Sequence, residues 1–188
     1  MRLTRLLALL VALVLVAGSC TTEAAVGYER LTDIDGIDQM SSEFNAQEGS
    51  PRLILLLSPT RPICRVGASW VQKNILEPNP DADIEVTAVW FNMLPLDARE
   101  RWDPSLMTDP RVVHYWDSDA EIGRWFGQNQ DDIGFSYFSD AVVWDAYFLF
   151  GPNAEWTGVP TPLESFGFTV LADKEELFEA IGDLWETS

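Results

Sequence analysis

The sequence predicts an α/β domain in which a mixed β-sheet has helices on both faces. Two short apolar runs, at residues 52–58 and 84–92, are typical of fully buried strands, and a helical segment separates them. A strand–helix–strand passage indicates parallel pairing through a right-handed crossover. A third apolar run at 142–150 leads into a turn and a return strand, which predicts a C-terminal antiparallel hairpin. Such a sheet buries both faces most simply under helices.

The first half of the domain is predicted to alternate helix and strand. Apolar residues recur at helical spacing over residues 34–45, and Thr32 or Asp33 is the expected cap of that helix. The strand at 52–58 ends where prolines interrupt the chain. A second helix is predicted over residues 63–76, and its core candidates are Val66, Trp70 and Ile75.

The second half contains shorter and less regular elements. Ser118, with Glu121 three residues later, predicts a capping box at the start of a helix. The predicted elements are an irregular Pro-rich segment at 94–110 with a short helix at 98–102, a strand at 112–116, a helix at 118–126, an aromatic-bearing polar loop at 128–140, a turn at 151–154 and an amphipathic helix at 173–185.

The N-terminus has the layout of an export signal. Arg2 and Arg5 precede an apolar run at 6–17, which is shorter than the roughly 20 residues of a membrane span. The segment that ends at Cys20, Ala-Gly-Ser-Cys, resembles the bacterial lipobox, whose cysteine is diacylated on sulfur after cleavage. Ordinary cleavage nearby and a buried helix of a soluble domain are the alternatives.

The expected protein is therefore an exported bacterial protein, lipid-anchored at the extracytoplasmic or periplasmic face of the cell membrane. The predicted organisation is a signal peptide at 1–19, lipid attachment and a tether at 20–30, and one domain at 31–188.

Composition restricts the partners and the stabilising chemistry. The chain has 30 acidic and 12 basic residues, a formal net charge of −18, and such a surface repels nucleic acid and anionic headgroups. Habitat or genome composition explains this charge more simply than an acidic binding face. The chain has 2 cysteines, Cys20 and Cys64. With Cys20 lipidated, no intramolecular disulfide can form, and stability must come from the core.

The order of elements, with the break at residues 58–64, resembles the thioredoxin fold over residues 31–185. The strand at 53–57 is similar to that family's central strand, and Arg61-Pro62-Ile63-Cys64 occupies the place of its C-x-x-C motif. Residues 147–155 look like the strand and turn after the family's cis-proline. The resemblance implies a relative of the thiol–disulfide oxidoreductases whose partner would carry a protein thiol or disulfide.

The motif departs from the family at the positions that carry chemistry. Arg61 stands where the resemblance expects the nucleophile, and Cys64 matches the resolving cysteine, so dithiol chemistry is impaired. The resemblance also places Pro62, Trp144 and Asp145 at the peptide groove, with Asp145 at the cis-proline position. A carboxylate there disfavours a nearby thiolate.

Several interpretations of this motif stay open. Cys64 is either a monothiol nucleophile, whose pKa Arg61, Arg65 and the helix dipole would lower, or an inert, partly buried cysteine. Arg61 is either a true substitution or a misread codon, one base from a cysteine or selenocysteine codon. The functional alternatives are a redox-impaired oxidoreductase relative, a non-catalytic binding module for an extracytoplasmic partner, and a purely structural lipoprotein.

No metal or cofactor is expected. One histidine, His114, and one remaining cysteine do not make a zinc set, so His114 is interpreted as structural or surface-exposed. Acidic residues 33, 35 and 38 lie near Gly36, but their spacing does not fit a calcium-binding EF-hand loop. The aromatic side chains that could line a groove are interpreted mainly as packing residues, namely Trp116, Trp125, Trp144 and Tyr147.

Overall fold

The computed structural model describes residues 30–138 and 141–186. The predicted signal peptide and the lipidation of Cys20 lie outside the described residues. Within that range, no helix has the length and apolar character needed to cross a membrane. The strands are β1 Leu31–Asp33, β2 Arg52–Leu57, β3 Glu85–Phe91, β4 Val112–Asp117, β5 Ala146–Thr157 and β6 Val159–Gly167. The α-helices are α1 Ile37–Ala46, α2 Pro62–Val71, α3 Glu121–Gln128, α4 Gln130–Ile133 and α5 Lys174–Glu186.

All of these strands form a single sheet in the order β1-β4-β3-β2-β5-β6. The first four run parallel to one another, and β5 and β6 are antiparallel to their neighbours. The predicted mixed sheet, with parallel strand–helix–strand units and a C-terminal hairpin, is therefore confirmed.

Both faces of the central strand β2 are covered, which explains its unbroken apolar sequence. Leu53, Leu55 and Leu57 pack in one cluster with residues of α2 and α5. Ile54 and Leu56 pack in the other cluster with residues of α1 and α3. Burying each such side chain stabilises the fold by about 1.5–3 kcal/mol before the cost of ordering it.

The predicted cap of the first helix is wrong. Thr32 and Asp33 belong to β1, which pairs in parallel with β4. The helix α1 begins at Ile37, and Gly36 precedes it at φ 97° without a side-chain cap. A three-residue strand is too short to show a periodic pattern in the sequence. Its partner β4 lies far along the chain, so local sequence does not reveal the pairing either.

The predicted capping box at Ser118 is also wrong. Asp117, at the buried end of β4, caps α3 instead: its Oδ1 accepts a hydrogen bond from the Glu121 backbone N–H at 3.0 Å. Its Oδ2 accepts from the Ile122 N–H at 2.9 Å. A carboxylate at the positive end of a helix is the favourable arrangement.

The predicted turn at 151–154 is a bulge within a longer strand. The register passes from Phe150↔Leu163 to Glu155↔Thr161, so extra residues of β5 are accommodated and the strand continues to Thr157. The hairpin turns at Gly158, whose φ of 89° favours glycine. The buried Arg52 guanidinium donates to the Gly151 carbonyl and holds the bulge against the sheet.

Helix α2 covers the sheet with one side only. It continues into a π-helical turn over Gln72–Leu76, where Ile75 is buried as predicted. Val66 was predicted in the core but is 53% exposed, and Trp70 is partly buried. Val66 therefore belongs to the outer surface of α2, whereas Trp70 packs against the core cluster.

Candidate functional site

The candidate site lies where β2 ends and β5 begins. These strands are antiparallel neighbours, and Leu56 pairs with Ala146 at this end of the sheet. The chain leaving β2 turns into α2, which starts at Pro62, so the C-x-x-C-like segment faces the residues just before Ala146. The structure thereby brings together the predicted site residues Arg61, Cys64, Trp144 and Asp145.

Arg61 lies over the site. It is the N-cap residue of α2, and its backbone N–H donates to the Ser58 hydroxyl at 3.1 Å. Its guanidinium stacks on Trp144, with Cζ 4.4 Å from the ring centroid. Its Nε lies 3.4 Å from Asp145 Oδ2. The side chain therefore links the edge of the site to the buried carboxylate beneath it.

Cys64 is a buried free thiol with 1% of its surface exposed. Burial raises the pKa of the Cys64 thiol, and the negative charge of Asp145 raises it further. The charge of Arg61 and a hydrogen bond with the Ser58 backbone lower this pKa, but they are outweighed. Of the two alternatives that the sequence left open, this environment favours the inert, buried cysteine over an activated nucleophile, because desolvation and the Asp145 carboxylate oppose the thiolate. Arg65, the other arginine near the motif, pairs with Asp103.

Asp145 is the buried acidic partner of Cys64. Its side chain is 2% exposed, and its backbone adopts the left-handed φ of 54°. Burial raises the pKa of the Asp145 carboxyl, while the thiol of Cys64 and the charge of Arg61 lower it. Its Oδ2 accepts no hydrogen bond, so the ion pair with Arg61 is the main compensation for that atom.

The loop before Cys64 is held by Asp97, a residue that sequence reasoning did not single out. Asp97 is buried and accepts hydrogen bonds from the Ser58 hydroxyl at 2.9 Å and from the Thr60 N–H at 3.2 Å. It also accepts from the backbone N–H groups of Met93 and Leu94, at 3.0 and 2.8 Å. Burial alone would raise the pKa of Asp97, but a hydrogen bond from the Thr60 hydroxyl, with those from Leu94, Met93 and Ser58, outweighs burial and lowers it.

We expect Asp97→Ala to lower the free energy of unfolding by about 3 kcal/mol, because buried donors lose a charged acceptor. Asp97→Asn keeps one acceptor oxygen and should lose about half as much. Since the folded-state pKa of Asp97 is lowered, its contribution is present above about pH 4 and is lost as pH falls through that pKa. Denaturant titrations across pH measure both effects. If the free energies of unfolding of the wild type and of Asp97→Ala differed by the same amount from neutral to acid pH, this account would be contradicted.

An exposed aromatic surface adjoins the site. We define it as the exposed rings of Phe138 and Phe168 together with the buried ring of Tyr137, which packs against both, with centroids 4.2 to 5.2 Å apart. Phe138 is 73% exposed and Phe168 is 41% exposed. Tyr137 joins this surface to the site, because its hydroxyl donates to the Trp144 carbonyl at 3.0 Å. The sequence signal was the presence of aromatics in an otherwise polar loop, but only the fold shows that they cluster.

His114 is structural. It is buried on β4, where its Nδ1 accepts from the Trp90 indole N–H at 3.2 Å. Its Nε2 then carries the proton and donates to the Met107 carbonyl, also at 3.2 Å. Burial is the main cause that lowers the pKa of His114 to about 4, so the ring is neutral at physiological pH.

The remaining aromatic candidates mostly pack, as the sequence suggested. Trp116 and Tyr147 are buried. Trp125 packs against Trp156, with centroids 5.0 Å apart. Trp144 differs, because its ring supports the Arg61 guanidinium at the site.

The topology is that of a thioredoxin-like fold. It combines a parallel β2–α2–β3 unit with an antiparallel β5–β6 hairpin beside β2, and a cysteine lies in the first turn of α2. Solved structures of similar backbone include a protein described as a thioredoxin of Neisseria meningitidis, at 20% identity and a TM-score of 0.46 over 77% of this chain and 81% of that one. Another is a secreted Mycobacterium tuberculosis disulfide oxidoreductase homologous to E. coli DsbE, at 13% identity and a TM-score of 0.43 over 74% and 85%. MTB DsbF is similar at 15% identity and a TM-score of 0.44 over 74% and 84%.

At such identities and TM-scores, these likenesses concern the backbone and say nothing about activity. The sequence matches no protein-family model. No curated protein matches it either.

Proposed function

We propose that this is a membrane-anchored extracytoplasmic thioredoxin-like protein, impaired in dithiol redox chemistry, that binds polypeptide at the former redox site. One observation carries the proposal: Cys64 is buried beneath Arg61 and beside the Asp145 carboxylate. Thiol exchange requires an accessible thiolate, and this arrangement disfavours both access and ionisation.

The aromatic surface favours binding over catalysis. Exposed Phe138 and Phe168 lie next to the site, and aromatic side chains are frequent anchors of protein interfaces. The partner we propose is an extended polypeptide segment that places apolar side chains against these rings. The role of Cys64 in that case is to fill the core under the first turn of α2.

The membrane half of the proposal rests on the sequence alone. A basic start, a short apolar run and the lipobox-like segment ending at Cys20 support export and lipid attachment. Mass spectrometry of the mature N-terminus tests it, and an unacylated Cys20 would contradict it.

The full chain should reduce insulin no faster than dithiothreitol alone, and Cys64→Ser should behave identically. It should also bind a permanently unfolded probe, reduced and carboxymethylated ribonuclease, as measured by anisotropy. We expect Phe138→Ser to weaken that binding about tenfold, because it removes a ring that is exposed in the free protein.

The matched control for the aromatic surface is Phe178→Ser. Phe178 is 50% exposed on α5, outside the aromatic surface, so this change should leave probe binding unaltered. Insulin reduction that depends on Cys64 would overturn the redox-impaired assignment. An equal loss of probe binding in Phe138→Ser and Phe178→Ser would overturn the proposed binding site.

A further inference from the structure

Helix α2 forms one wall of a cleft on the side facing away from the sheet. The cleft has a volume of about 490 Å³, and its lining includes Val66, Trp70 and Lys73 from the helix and Leu106 from the loop before β4. Its size is within the range of small-molecule sites, and it is open to solvent on its outer side. It is distinct from the aromatic surface, and its occupant does not depend on the proposed function.

The electrostatic character of this cleft is opposite to that of the chain. No carboxylate lines it, although the protein has 30 acidic and 12 basic residues. Four other clefts on the described surface each include at least one carboxylate. One contains Glu164 and Asp183, a second contains Glu48 and Glu155, a third contains Asp131, and a fourth contains Asp38. The cleft on α2 is thus set apart by charge as well as by its apolar lining.

Lys73 is the cation that the cleft offers to a ligand. Arg65 also lines the cleft, but its guanidinium donates to Asp103 at 2.9 Å and is neutralised there. Lys73 is exposed and forms no ion pair with any residue in the described ranges. An anionic group bound here would therefore gain a counter-charge without displacing an existing partner.

The loop wall of the cleft is held in place at both ends. The Asp103 carboxylate fixes the first end through Arg65 and through the Ser105 N–H, which donates at 3.0 Å. At the other end, the side-chain oxygen of buried Gln72 accepts from the backbone N–H of Thr108 at 2.8 Å and of Asp109 at 3.1 Å. Leu106 lies between these anchors, so the cleft is formed before any ligand arrives.

The π-helical turn explains how one helix supplies both the anchor and the cation. Within Gln72–Leu76 the helix is wound more loosely, and the Glu77 N–H bonds to the Gln72 carbonyl at 2.9 Å. Gln72 points inward to hold the loop, while the next residue, Lys73, stays exposed beside the cleft. Turns of this kind often occur at functional sites.

We infer that this cleft binds a small aromatic carboxylate. The ring would lie against Trp70, Val66 and Leu106, and the carboxylate would pair with the ammonium group of Lys73. Aromatic stacking on Trp70 and a charge-assisted hydrogen bond from Lys73 are complementary to this chemistry.

The probe is 2-naphthoate, titrated into the full chain by calorimetry, and we expect saturable binding of one molecule per chain. 2-Naphthylmethylammonium has a similar ring and the opposite charge, and it should bind at least about tenfold more weakly. Lys73→Gln should weaken naphthoate binding about fivefold, the effect of one partly solvated ion pair. Val66→Asp places a carboxylate in the cleft at an exposed position and should weaken binding about tenfold or more.

The control is Lys174→Gln. Lys174 is a partly exposed lysine on α5 that lies 3.7 Å from Glu175, outside the cleft, and its substitution should leave naphthoate binding unchanged. Absence of saturable binding would overturn the inference. So would equal affinity for the naphthyl cation, or an equal loss in the two lysine variants, because either result would indicate non-specific attraction.

Discussion

In the folded protein, we expect Cys64 to react with N-ethylmaleimide at neutral pH at least about a hundredfold more slowly than a free thiol. The thiolate is the reactive species, and both burial and the Asp145 charge raise the pKa of Cys64. The thiol is also 1% exposed, so the reagent must wait for a local opening. Mass spectrometry of the alkylated peptide measures the rate at Cys64 separately from any reaction at Cys20.

Two comparisons separate these causes. In guanidinium chloride the rate should rise to that of an ordinary cysteine, since both the burial and the neighbouring charge are lost. Asp145→Asn should accelerate the reaction of the folded protein several-fold, because it removes the carboxylate that raises the thiol pKa. Asp103→Asn is the matched control, because Asp103 pairs with Arg65 and should not influence Cys64. A wild-type rate close to that of a free thiol would exclude an inert, buried Cys64.

The sequence predicted the parts of the fold that depend on local apolar patterns. β2 and β3 are apolar runs buried on both faces, and α5 has one apolar side, so each is visible within a short window. β1 was missed because three residues acquire strand geometry only through pairing with β4. The bulge in β5 looked like a turn, since only pairing with β6 beyond Gly158 shows that the strand continues.

The sequence predicted the position of the site and left the ionisation of its thiol open. Arg61, Cys64, Trp144 and Asp145 are separated in the chain, and the resemblance to the thioredoxin pattern was sufficient to place them together. The sequence left the ionisation of Cys64 open, because helix position and nearby arginines are local cues, whereas desolvation is set by the whole fold. Asp97 carried no sequence signal, because its role depends on donors from two separate loops.

The arrangement of Arg61 and Asp145 explains how the site holds an arginine where the thioredoxin pattern has a cysteine. A buried carboxylate without a counter-charge is costly, and the guanidinium of Arg61 supplies that charge from a half-buried position. Stacking on Trp144 holds the guanidinium there. The two departures from the thioredoxin pattern therefore compensate each other, and reversing one alone should cost stability.

Arg61→Cys should give measurable insulin reduction, which we expect the wild-type chain to lack. The new thiol would lie at the N-cap of α2, three residues before Cys64, where the helix dipole favours its thiolate. The single variant should lose roughly 1–3 kcal/mol of stability, because Asp145 is left buried without its cation. Its reduction of insulin should also be slow, since the remaining Asp145 carboxylate opposes thiolate formation at Cys64.

The double variant Arg61→Cys, Asp145→Asn should be more stable than Arg61→Cys and should reduce insulin faster. It removes the unpaired carboxylate of Asp145, and with it the negative charge that opposes thiolate formation at Cys64. Arg65→Cys is the matched control: it also gives the domain two cysteines in α2, but the new one directly follows Cys64 and does not recreate the C-x-x-C spacing. Activity in Arg65→Cys equal to that of the double variant would show that spacing is irrelevant. A folded but inactive double variant would show that the groove, and not only the motif, has lost the capacity for thiol exchange.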